Sequence, residues 1–101
     1  MTKLELNEKL AELYSFEAMY YFKYPVLLID DSARIFNLMV AHKICLDYGE
    51  VYIDGVKNEC FYAGKKGYFI NNNVFLKDHE SPQAAACYAI AMALVKLAES
   101  K

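Results

Sequence analysis

The chain has 101 residues, 56% of them apolar and 24% charged, with a formal net charge of −2. This is the profile of a single globular domain over 1–101, able to remove about 65% of its unfolded surface from water, and not of a disordered tail. The mild acidity excludes a generic nucleic-acid binder, and the longest apolar run, 12 residues, is shorter than the roughly 20 that span a bilayer.

The opening Met1-Thr2-Lys3-Leu4-Glu5 lacks the shape of a signal peptide, and none of the three cysteines forms a C-x-x-C pair. Reduced thiols in a cytoplasmic protein are the expectation. Thr2 followed by Glu5 fits a capping box. Leu6, Leu10 and Leu13 then recur at helical spacing, so an amphipathic helix is predicted from about Lys3 to Tyr14. Ser15 to Tyr24 is dense in aromatic residues, and Pro25 disfavours helix at Tyr24. Val26-Leu27-Leu28-Ile29 suits either a short strand or an apolar arm laid over the core, and the arm is the expectation.

Asp30-Asp31-Ser32 signals a second helix start. The apolar positions after it carry the prediction to Asp47 or Tyr48, with Gly49 as a left-handed cap. From Glu50 the period becomes two. Val51-Tyr52-Ile53 reads as a strand closed by Asp54-Gly55, a strong hairpin signal. Cys60 to Ala63 reads as the next strand, Gly64-Lys65-Lys66-Gly67 as a turn, and Tyr68-Phe69-Ile70 as a third strand. Asn71 to Asn73 bends or bulges the chain before Val74-Phe75-Leu76. Apolar residues alternate onto both faces of these strands, which predicts that both faces are at least partly covered.

The most strongly specified element is the last helix. Ser81 caps it and Pro82 suits its first position. Ala84 to Val95 carries no charge, so neighbours must cover it on more than one side. The predicted fold is α+β: an antiparallel sheet of three or four strands packed with helices in the order α-α-β-β-β-α.

His42 and Cys45 would share a face of the second helix as a nucleophile pair or as two metal ligands, with His79 and Cys87 as the further ligands a metal needs. The spacing matches no zinc signature, and the plain alternative is a buried thiol beside a helix-face histidine. Asp30 and Asp31, with Glu17 or Glu50, read as helix capping and dipole compensation in preference to acid–base carboxylates. Neither catalytic residues nor a metal or cofactor are therefore expected. Nine tyrosines exceed what a small core satisfies, and tyrosine suits binding surfaces. Tyr20, Tyr21, Phe22 and Tyr24 form the candidate recognition cluster. Arg34, Lys65 and Lys66 are the candidates to meet phosphate.

An Asp-capped helix, a short meander with a cysteine in its middle strand, an acidic link and Ser81-Pro82-Gln83-Ala84-Ala85-Ala86-Cys87-Tyr88-Ala89 follow in order. In this order, over roughly 30–97, the chain resembles the small bacteriophage ABA-sandwich proteins. It departs from them in the apolar arm Val26 to Ile29 and in having no tryptophan. The resemblance implies an α/β/α-layered domain of phage origin without known catalytic residues, and no site residue carries over.

Three functions compete on this basis. The first is a non-enzymatic protein that binds and inhibits a host protein, such as a defence component. The second is a binder that sequesters a nucleotide-like signal. The third is an enzyme using Cys45 and His42. A homodimer through Ala85, Tyr88, Ala89 and Met92 is also expected, unless the first helix covers that face of the last one.

Overall fold

The computed structural model describes residues 2–13, 28–65, 68–69 and 73–99. Its central element is the helix Pro82–Glu99. The Ser81 hydroxyl accepts the backbone N–H of Ala84 at 3.1 Å, and the Ser81 carbonyl accepts that of Ala85 at 3.1 Å. A cap of this kind satisfies first-turn donors that have no partner inside the helix. Ala85, Ala86, Cys87, Ala89, Ile90, Ala91, Ala93, Leu94 and Val95 are all buried.

Two helices and the sheet supply that cover. Helix α1 spans Lys3–Leu13, α2 spans Ser32–Ala41, and the central helix is α3. In α1 the capping box forms as expected, with the Glu5 N–H donating to the Thr2 hydroxyl at 3.2 Å. Leu6 and Leu10 are wholly buried, while Leu4 and Leu13 are exposed. The inward stripe instead includes Asn7. A 3-10 turn, Leu28–Asp30, precedes α2 and buries Ile29. In α2 the Asp31 side chain accepts the Arg34 N–H, and Ile35 enters the core.

Helix α2 stops at Ala41, well before the predicted end. His42 caps it by donating its N–H to the Leu38 carbonyl at 3.0 Å, and Lys43 takes φ +55°. The chain then extends into β1, Ile44–Ile53, which pairs antiparallel with β2, Val56–Lys65, in ten consecutive partners. The reason is tertiary. As strand residues, Ile44 and Leu46 point at α3 and pair with Lys65 and Ala63. The helical spacing of apolar residues gives way to that pairing.

Gly49 is therefore not a helix cap. It lies opposite Cys60 in β1, and a Cβ there would stand 3.1 Å from Cε1 of Tyr62. A tyrosine ring on the neighbouring strand covers the glycine of an edge strand, a known way of stabilising such a position. Asp54 and Gly55 turn the hairpin with φ of 52° and 79°, as a type I′ turn requires at both central residues.

On the other side of β2, β3 (Tyr68–Phe69) pairs with Gly64 and Lys65, and β4 (Val74–Phe75) pairs with Cys60 and Phe61. From Phe61 to Gly64 is three steps along β2, but from Val74 back to Phe69 is five along the third line of strand. Residues 70–72, where the asparagine run predicts a bend or bulge, lie outside the described residues. The fold is α+β in the expected order. Ile44, Ala63, Val74, Leu46 and Phe61 meet the helices on one sheet face, and Cys60 is buried on the other.

Candidate functional site

The third line of strand ends opposite Cys60, yet β1 and β2 continue for several residues to their turn. Ten-residue strands are about 33 Å long, so the distal half of the hairpin forms a two-stranded arm. Sequence alternation predicts at least partial cover on both faces, and partial is what the arm has: Val51 is half-buried and Asn58 is buried, while its larger side chains stand out. Tyr52 is 67% exposed, Val56 62%, Tyr48 51% and Ile53 42%. Among the described residues, the 3-10 turn Leu76–Asp78 also packs on β2.

Polar bonds order one face of the arm. Glu50 and Glu59 stand directly opposite each other, an arrangement that like charges disfavour. Both carboxylates are engaged: Lys57 Nζ lies 3.1 Å from Glu50, and the Tyr48 hydroxyl donates to Glu59 at 2.7 Å. That hydrogen bond, with the charges of Glu59 and Glu50 adding to it, pushes the Tyr48 phenol up to about 12. The Tyr48 ring also meets Phe61 edge-on at 5.9 Å, which joins the arm to the core. Alternation places Val51, Ile53 and Val56 on the opposite face.

A second feature is a groove of about 510 Å³ beside the start of α3. Ala84, Tyr88 and Met92, spaced i, i+4, i+8, form one wall, and Val74 and Phe75 lie among the other lining residues. His79 packs on Tyr88 with ring centroids 4.9 Å apart. Burial holds the His79 imidazole below its ordinary pKa; Asp78 opposes this and Lys3 reinforces it. Lys3 also lines the groove and is ion-paired to Asp30 at 2.6 Å. Asp78 and Glu80 line the groove as well.

The structure separates several residues that the sequence grouped. Arg34 lies in the first turn of α2, while Lys65 pairs with Ile44 just beyond its last turn. They are about 10 Å of helix apart along its axis. Lys66 and the cluster Tyr20, Tyr21, Phe22 and Tyr24 lie outside the described residues.

His42 and Cys45 do not share a helix face, because Cys45 is in β1. His42 lines a shallow cleft with Ile44, Lys65 and Leu94, and Cys45, next to inward-pointing Ile44, points to the other sheet face. Among the described residues no three His, Cys, Asp or Glu side chains come together as metal ligands. Burial pushes the Cys60 and Cys87 thiols up.

The proposed dimer face is also corrected. Helix α1 packs on α3, and Ala85 and Ala89 are in the core at 0% and 3% exposure. Tyr88 and Met92 instead line the groove. No described helix is long and apolar enough to cross a membrane. Compared with known proteins, the chain matches no family model, no curated protein and no solved structure.

The arm carries the candidate surface, although the sequence reading looked for recognition in the earlier tyrosine cluster. The available signal was Asp54-Gly55 with apolar residues alternating on both sides of it. A hairpin that long outruns the cover that the described helices, one of 18 residues and two shorter, provide.

Proposed function

We propose that this is a non-enzymatic protein that binds another protein through the β1–β2 arm and inhibits it by occupying its surface. The carrying observation is the clustering of Tyr48, Tyr52, Ile53 and Val56, all exposed, on one projecting hairpin. Tyr48 and Tyr52 stand on one face of the hairpin and Ile53 and Val56 on the other, so both faces offer apolar contact; exposed apolar residues mark interaction surfaces, and tyrosine is enriched in them. The ordered Tyr48–Glu59 and Lys57–Glu50 contacts hold the surface in one shape, which lowers the ordering cost of binding. The resemblance over 30–97 to phage ABA-sandwich proteins supports a host protein as the target, with a bacterial defence component as its class and the host cytoplasm as its location.

The test compares the wild-type chain with a Tyr52→Ser/Val56→Thr variant, both immobilised and exposed to host lysate. Both substituted side chains are exposed, so melting should be unchanged within about 1 kcal/mol of stability. A partner that the wild type captures and the variant loses supports the reading. Equal capture by both moves the contact off the arm.

A further inference from the structure

Strand β1 is the margin of the sheet: it pairs with β2 along its whole length, and among the described residues nothing pairs with its other edge. Edge strands are ordinarily shielded by shortness, by charged side chains, by proline or by a bulge. β1 has ten residues, no proline and an unbroken register with β2, and its charged guards, Asp47 and Glu50, are both acidic, so they repel an acidic strand and not a basic one. Such an edge is suited to pairing with another extended chain.

The turn identifies the backbone groups that face outward. In a hairpin closed by a two-residue type I′ turn, the flanking pair, here Ile53 and Val56, exchanges both hydrogen bonds. Alternation then directs Ile53, Val51, Gly49 and Asp47 toward β2. It leaves the N–H and C=O groups of Tyr52, Glu50, Tyr48 and Leu46 facing away.

Charge selects the occupant. Between Ile44 and Glu59 the chain carries Asp47, Glu50, Asp54 and Glu59 against Lys57 alone, a net −3, more negative than the −2 of the whole chain. Asp47 and Glu50 are on β1 itself, three residues apart and on opposite faces. A second copy pairing through the same edge would set one acidic strand against another, which like-charge repulsion disfavours. A basic strand would be matched.

We propose that the outer edge of β1 binds, by strand addition, an extended basic segment of a partner protein. Its lysine or arginine residues would be spaced i, i+3 to stand beside Glu50 and Asp47, with β-branched or aromatic residues beside Tyr48 and Tyr52. Main-chain bonds to the outward groups supply affinity, and the alternating side chains supply selectivity. The proposal rests on the reading of the arm as a protein-binding surface and adds the mode of binding and the chemistry of the partner.

Three synthetic peptides test it on the full chain. One is built of valine and threonine with lysines at i and i+3. The second has glutamates in their place. The third is the lysine peptide N-methylated at alternate residues, which removes its donors along one edge. The lysine peptide should bind and slow hydrogen exchange at the amides of Tyr48, Glu50 and Tyr52, while those of Gly49 and Val51, already bonded to β2, stay unchanged.

The glutamate and N-methylated peptides should bind at least about tenfold more weakly. Glu50→Lys exchanges the Lys57 pair for a lysine opposite Glu59; with melting unchanged, it should weaken the lysine peptide by about tenfold. The proposal is overturned if no peptide binds, if the N-methylated peptide binds equally well, or if the lysine peptide binds without slowing those three amides. It is overturned too if they are already protected in the free chain. Capture of a partner that is lost on Tyr52→Ser/Val56→Thr would survive each of these results, so the two readings fail separately.

Discussion

The side-chain oxygen of Asn7 accepts the backbone N–H of Ile29 at 2.9 Å, joining α1 to the turn before α2 across 22 positions of sequence. Asn7 is 1% exposed and Ile29 2%. An N–H this deeply buried has no water to replace a lost acceptor. Asn7→Ala should therefore lower stability by about 1–3 kcal/mol, read as a lower urea midpoint at unchanged slope. An unchanged midpoint would mean that the bond is dispensable.

The Tyr48 phenol gives the arm a signature in alkali. Its folded pKa, about 12, lies above the 10.0 of an ordinary tyrosine. The contact's contribution is then complete below pH 10 and is lost as the pH rises through about 12. In an ultraviolet titration, subtracting the Tyr48→Phe variant from the wild type should leave one phenol ionising late. Glu59→Gln should bring it back toward ordinary values. A Tyr48 phenol that ionises with the exposed tyrosines would remove the hydrogen bond from the account.

Two glycines in the hairpin should respond differently to alanine. Gly55 has φ +79° and nothing within 4 Å of where a Cβ would lie, so Gly55→Ala is strained by conformation alone. A loss of about 1 kcal/mol is expected. At Gly49 no positive φ intervenes, but the new methyl meets the Tyr62 ring at 3.1 Å. Gly49→Ala should fall within about 1 kcal/mol of neutral, and the larger Gly49→Val should be clearly worse because the ring must leave. Chemical denaturation of the three variants decides the order.

The thiols should differ in accessibility. Cys60 and Cys87 are buried and their pKa values are raised by burial, so little thiolate is present at neutral pH. Cys45 is only partly buried. A maleimide applied to the native chain should label Cys45 first, and Cys60 and Cys87 only after denaturant is added, as peptide mapping by mass spectrometry would read. Early labelling of Cys60 would mean that the second sheet face opens readily.

Much of the fold is legible locally. Thr2 with Glu5, Asp31 with Arg34, and Ser81 with Ala84 are capping contacts between residues three apart, and each forms as its sequence signal predicts. Asp54-Gly55 closes the hairpin because only a few residue types accept the two positive φ angles there. An uncharged helical run from Ala84 to Val95 requires cover on several sides, and α1, α2 and the sheet supply it.

What the sequence could not decide depends on distant partners. Whether 44–49 is helix or strand turns on pairing with residues as far away as Lys65, and the apolar spacing there satisfies either period. Whether Ala85 and Ala89 are surface or core turns on where α1 docks. Whether Tyr52 and Val56 are covered turns on how far the third line of strand follows the hairpin, and it stops at Cys60. Caps and turns involve a few adjacent residues and are written in the local sequence. Burial and edge exposure are properties of the assembled surfaces, so the arm became recognisable as a candidate surface only once the helices were in place.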